Sequence, residues 1–99
     1  MDGMVELLTD EQISAELQTR PEWAHEDPAL VRTVKLDTFP RAIEVVDQVA
    51  AIAEELDHHP DIDIRWRTLR FSVSTHSKGG VTQNDLALVD RIDAVLAGY

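Results

Sequence analysis

Between Ile62 and His76 the apolar residues alternate with period two, but the phase changes on the way. Ile62, Ile64 and Trp66 stand on even numbers, Leu69, Phe71 and Val73 on odd ones. Successive side chains of a strand point to opposite faces, so an unbroken strand cannot bury both sets on one face. A break in register near Arg67-Thr68 is therefore required. A hairpin with a tight turn there is the economical solution, although the pair lacks the Asn-Gly chemistry such turns prefer; one long bulged strand is the alternative.

The segment just upstream carries a helical period instead. Phe39, Ala42, Ile43, Val46, Val49, Ala50, Ala53 and Leu56 fall within an arc of about 140° at helical spacing, wide enough to cover a sheet. Glu44, Asp47, Ala51 and Glu55 fall on the far side. Asp37 and Thr38 offer caps and Pro40 fits the first turn, while Pro60 forces the helix to stop a residue or two before it.

Thr9 with Gln12 three residues on reads as a capping box, which opens a short helix through about Leu17. The Thr19-Arg20-Pro21-Glu22 stretch breaks that helix, and Leu30 to Leu36, rich in β-branched and apolar residues with Leu30, Val34 and Leu36 on one phase, predicts a strand. Gly79-Gly80 ends the strand region, and Thr82-Gln83-Asn84-Asp85 opens a last helix with the stripe Leu86, Val89, Ile92 and Leu96. The order helix, strand, helix, hairpin, helix predicts an α+β domain with an antiparallel sheet, since a parallel sheet needs more regular strand and helix alternation.

At 99 residues, with no repeat or long linker, the chain reads as one domain spanning 1–99. Its net charge of −10 opposes polyphosphates and anionic headgroups, so neither nucleic acid nor a membrane surface is an expected partner. There is no cysteine, hence no disulfide and no thiolate metal site. The acidic N-terminal stretch MDGMVELLTDEQ lacks the positive charge and apolar run of a secretory signal, which points to a cytoplasmic protein.

His58 and His59 close the long helix and His76 ends the last strand in this reading, with Glu54, Asp57, Asp61, Asp63 and Asp85 as nearby carboxylates. Imidazole can give and take protons near neutrality, and a carboxylate bonded to it fixes its tautomer. Bland readings compete: His58-His59 as cations at a helix C-terminus, Asp85 as a helix N-terminal carboxylate, His76 as a surface residue. A zinc site of three histidines and an aspartate fits the residue types, but adjacent His58 and His59 point apart unless the backbone turns sharply, and no His-x-x-x-His spacing is present. Lys78-Gly79-Gly80 lacks the spacing of a phosphate loop. Arg65, Arg67 and Arg70 read as solvated strand positions or partners for carboxylates, and His25 receives no role.

Taken together, Glu54-Glu55-Leu56-Asp57-His58-His59-Pro60, Trp66, His76 and Asp85 closely resemble the signature of the pterin-4a-carbinolamine dehydratase family. An acidic or polar residue stands four before His-His-Pro, an aromatic six after the proline, a histidine ten beyond that, and an aspartate nine further on. Leu30-Val31-Arg32, Phe39 with Ala42, Thr75-His76 and Gly79-Gly80-Val81-Thr82 extend the similarity from Thr9 over nearly the whole chain. Val34 and Leu36 where aromatics are common, Pro40, and Arg67-Thr68 as the turn pair are departures that bear on packing more than on the site.

The resemblance implies a four-stranded antiparallel sheet with three helices packed on one face, the fourth strand coming from the stretch around Trp23. It implies homodimers or homotetramers, and loss of water from a 4a-hydroxytetrahydropterin to give the quinonoid dihydropterin in tetrahydrobiopterin recycling. By the same resemblance no cofactor and no metal is needed: His58 and His76 act as acid and base, assisted by His59, Glu54 and Asp85, with Asp85 supporting His76. Asp57, His58, His59, Pro60, Thr75, His76, Ser77 and Lys78 would line the pterin site. The alternatives are a non-enzymatic dimerisation cofactor or assembly-chaperone module, and the same chemistry on another pterin.

Overall fold

The computed structural model describes residues 5–99, and the first four residues of the acidic N-terminal stretch lie outside the described residues. Helix α1 (Asp10–Leu17) begins with the expected capping box: Thr9 Oγ1 accepts from Gln12 N at 3.1 Å, and Gln12 Oε1 accepts from Thr9 N at 2.9 Å. It buries Ile13. A three-residue strand β1 (Ala24–Glu26) then pairs with β2 (Ala29–Lys35) across the cis Asp27-Pro28 peptide. This is the fourth strand that the resemblance implied; Ala24, His25 and Glu26 carry no apolar alternation by which a period could be recognised.

Helix α2 (Phe39–Leu56) is capped by Thr38, whose Oγ1 accepts from Arg41 N at 3.2 Å. Its buried line is Ala42, Val45, Val49 and Ala53, turned toward Val45 relative to the expected stripe. Ala50 is exposed and Phe39 is 52% exposed, because α2 packs against α3 (Gln83–Leu96), which draws the inner face away from those two positions. Helix α3 buries Leu86, Val89, Ile92 and Leu96 as the stripe predicts, and Asp85 and Leu88 besides.

The phase change resolves as a hairpin. Strand β3 (Asp61–Arg65) pairs with β4 (Thr68–Val73) in the register Ile62 to Phe71, Ile64 to Leu69 and Arg65 to Thr68. An even-numbered face on β3 therefore continues as an odd-numbered face on β4. The two loop residues are Trp66 and Arg67, one position earlier than the sequence suggested, and Trp66 adopts φ of +55°, the left-handed region that a tight hairpin turn asks of its first residue. The sheet order is β1-β2-β4-β3, antiparallel throughout.

Leu30, Leu69, Phe71 and Val73 project from one face of this sheet onto Val45, Val49, Leu88, Val89 and Ile92, and this cluster is the core. The irregular segment after α1 is tied down by charge. Arg20 bonds both carboxylate oxygens of Asp90, at 2.9 and 3.0 Å, and Asp93 Oδ1 accepts from Trp23 Nε1 at 2.8 Å and from Arg32 Nη1 at 2.6 Å. Asp90 raises the proton affinity of the Arg20 guanidinium still further through these bonds.

Candidate active site

The site forms where α2 ends. Asp57 takes φ of +52°, a left-handed conformation that aspartate tolerates better than most residues, and His58 N bonds Ala53 O at 3.0 Å across the helix end. This sharp reversal sends adjacent side chains apart. His58 turns inward, where its Nε2 lies 2.6 Å from Asp85 Oδ1, and His59 turns outward to Glu54 Oε2 at 2.5 Å. His58 is buried and Asp85 completely so, whereas Glu54 and His59 are both exposed. A surface pair of the second kind adds little stability, so Glu54 chiefly restrains the His59 ring.

Asp85 is the third residue of a second capping box. Its Oδ2 accepts from Thr82 N at 2.7 Å and from Thr75 Oγ1 at 2.9 Å, and Thr75 Oγ1 and Thr82 Oγ1 lie 2.7 Å apart. With His58 on Oδ1, three donors thus surround a fully buried carboxylate, the condition under which burial of such a group is tolerated. Asp85 therefore stands behind His58, not His76 as the resemblance implied: the N-terminus of α3 abuts the C-terminal end of α2, which is where His58 is delivered.

His76 does not end a strand. Strand β4 stops at Val73, and an isolated bridge between Thr75 and Gly80 closes a tight loop over His76 to Gly79, with Gly79 at φ of +73°. Within the loop, Thr75 O accepts from Lys78 N and Gly79 N, both at 2.9 Å. His76 is exposed on this loop and faces the α2 end.

Between the two segments lies an open cleft of about 360 Å³. Asp57, His58, His59 and Pro60 line it from the end of α2, Asp61 from the start of β3, and Ser74, His76 and Ser77 from the chain beyond β4. The structure thus gathers His58, His59 and His76 around one space. Of the other residues expected at the pterin site, Thr75 is fully buried with its hydroxyl on Asp85, and Lys78 is not among the residues that line the cleft. Asp61 and Ser74 line the cleft without having been singled out for it. Asp61 was visible as a carboxylate near the histidines, but Ser74 bears no signal in the sequence.

Among the described residues no three His, Asp or Glu side chains are grouped to hold a metal ion, and no helix is long and apolar enough to cross a membrane. A deep acid-base pair, a second imidazole across an open cleft, and a third held by a surface carboxylate make an arrangement suited to moving protons on a small polar molecule.

Comparison with known proteins shows what the chain is similar to. A curated protein of Nocardia farcinica named "Putative pterin-4-alpha-carbinolamine dehydratase" is 53% identical over 88 residues, covering 89% of this chain and 93% of that protein. One of the same name from Mycobacteroides abscessus is 54% identical over 87 residues, covering 88% and 93%. Among solved structures, a protein of Brucella melitensis described as a transcriptional coactivator/pterin dehydratase superposes with a TM-score of 0.87 at 29% identity, covering 91% of this chain and 98% of its own. A pterin dehydratase-like RuBisCO assembly factor of the alpha-carboxysome shares the fold at a TM-score of 0.61 and 20% identity, covering 74% and 84%. The model of the pterin 4 alpha carbinolamine dehydratase family matches residues 6–95, and the chain belongs to that family.

Proposed function

We propose that the protein removes water from a 4a-hydroxytetrahydropterin, releasing the quinonoid dihydropterin by histidine acid-base catalysis. The observation that carries this reading is the approach of His58 and His76 to one cleft from two different chain segments. Dehydration needs two proton movements: the departing hydroxyl takes one as the carbon-oxygen bond breaks, and a ring nitrogen gives one up as the new double bond forms. Two imidazoles facing one bound ring match that demand. His59 and Asp57, with Pro60, Asp61, Ser74 and Ser77, are the groups available to hold the amino-pyrimidine edge, and Glu54 steadies His59. The relatives and the family membership support the substrate class.

In this reading the protein works without a metal or other cofactor, as a homodimer or homotetramer in the cytoplasm, recycling tetrahydrobiopterin after an aromatic hydroxylation. The experiment is single-turnover dehydration of a 4a-hydroxytetrahydropterin by the purified protein in the presence of a chelator. Rapid, chelator-insensitive turnover is expected; a rate equal to the uncatalysed one removes the proposal. A second reading, a non-enzymatic assembly or coactivator module, draws on the descriptions of the Brucella melitensis protein and the carboxysome factor, and that same uncatalysed rate would favour it.

A further inference from the structure

Hydrogen positions around Asp85 follow from donor arithmetic. A carboxylate only accepts, a threonine hydroxyl has one proton to give, and a backbone N–H can only donate. Thr75 Oγ1 is within 2.9 Å of Asp85 Oδ2 and so spends its proton there. The Thr75 to Thr82 contact at 2.7 Å must then be donated by Thr82, whose oxygen in turn accepts from Asn84 N at 3.2 Å. Thr82 N donates to the same Oδ2 at 2.7 Å. Oδ2 is thereby committed as an acceptor, and Oδ1 is left to meet His58 Nε2 at 2.6 Å.

We propose that Thr75 and Thr82 are positioning residues that, through Asp85, hold neutral His58 as its Nε2–H tautomer and so present the bare Nδ1 to the cleft, making His58 the proton acceptor of the site. This deepens the dehydratase reading and rests on it for the identity of the donor, but the tautomer itself does not. The neutral ring gives its Nε2 proton to Asp85 and cannot also donate from Nδ1. The charged and titratable groups around the His58 ring are Asp57 and His59 beside it at the α2 end, Asp61 at the start of β3, His76 across the cleft and Asp85 from α3 behind it. Of these, Asp85 is the one bonded to the ring.

Asp85→Asn provides the sharpest test. The amide oxygen must take the Oδ2 place, because Thr82 N–H can only donate and requires an acceptor there. The amide nitrogen then faces His58 Nε2 as a donor, and the ring is forced into the opposite tautomer. Imidazole ¹⁵N spectra of the whole protein, recorded where His58 is neutral, should show Nε2–H in the wild type and Nδ1–H in Asp85→Asn. Thr75→Val, which removes a hydroxyl donor at constant volume, should lower the single-turnover rate by about 10 to 100 fold with a much smaller change in KM, and Thr75→Ser should restore most of it. A wild-type ring protonated on Nδ1 overturns the proposal, as does a Thr75→Val protein with wild-type rate. Should Asp85→Asn fail to fold, the wild-type spectrum and the Thr75 pair still decide. Should no protein dehydrate the pterin, the proposed function falls, while the wild-type spectrum still upholds or overturns the tautomer assignment.

Discussion

His58 and Asp85 meet at 2.6 Å although they lie at the ends of two different helices, one closing α2 and the other opening α3. The carboxylate sits in the first turn of α3, where the helix dipole favours negative charge. Its partner imidazole follows the last turn of α2, where the dipole favours positive charge. Both helix ends thus favour the charge separation that arises when His58 takes a proton. His76 stands on an exposed loop and at neither helix end, so the two histidines face the same cleft from unlike surroundings.

Replacing either histidine tests the acid-base reading directly. His58→Ala and His76→Ala should each slow single-turnover dehydration by about 10² to 10⁴ fold, the usual contribution of a positioned acid or base, with pterin affinity less affected. Because the leaving hydroxyl can lie on either face of the ring, the two variants should differ in their preference between the 4a epimers. A His58 serving only as a helix-end cation would instead cost about 0.3 to 1 kcal/mol of stability and leave turnover intact.

A second prediction concerns what holds the β1 segment. Asp93 serves Trp23 and Arg32 together, so Asp93→Ala strands the indole N–H of a buried tryptophan and frees a guanidinium. Its cost should be about 1 to 3 kcal/mol in urea unfolding, against about 0.5 to 1.5 kcal/mol for Trp23→Phe, which removes donor and demand together. Equal costs would mean that the indole bond contributes nothing.

Much of this fold was legible because its strongest periods are local. The stripe of α3 and the phase change of the hairpin needed nothing beyond side-chain direction, and both capping boxes could be read from residue spacing, whereas the stripe of α2 was legible as helical but its inner face is turned toward Val45 by the packing against α3. Strand β1 was not legible: three residues without an apolar pair gain their structure from β2 and from the Trp23 bond to Asp93. The histidines of the site were visible by type and spacing, yet the partner of Asp85 was not. Spacing along the chain places Asp85 nearer His76, and only the packing of α3 against the end of α2 hands it to His58. Thr75 was misplaced for the same reason, since a hydroxyl beside a histidine reads equally well as a substrate contact or as the support of a buried carboxylate.

A third prediction concerns the pair that links the outer faces of α2 and α3. Arg91 bonds both oxygens of Glu55, at 3.0 and 3.2 Å, and these bonds hold the Glu55 carboxyl below its usual range. Folding therefore weakens proton binding at Glu55, so the pair's contribution is complete above the ordinary carboxyl value of 4.5 and drains away as pH falls through the lower folded value. Wild type and Glu55→Gln should differ in urea midpoint near neutrality and converge in acid. A difference that stays constant with pH would assign the effect of Glu55 to something other than its charge.

The last prediction bears on the hairpin turn, where the sequence lacks the residues such a turn prefers. Trp66 holds φ of +55° while its side chain is 86% exposed, so the backbone carries a strain that burial of the ring does little to offset. For a residue with a Cβ that conformation costs roughly 1 to 2 kcal/mol, and glycine escapes it at a cost of about 0.5 to 1 kcal/mol in unfolded-chain entropy. Trp66→Gly should therefore raise stability by up to about 1 kcal/mol, whereas Trp66→Ala, which keeps the Cβ, should not. The comparison is made by urea unfolding at unchanged slope, which isolates stability from any change in the area exposed on unfolding. A glycine variant less stable than the alanine one would show that the turn is held by the indole ring and that relief of backbone strain is the smaller effect.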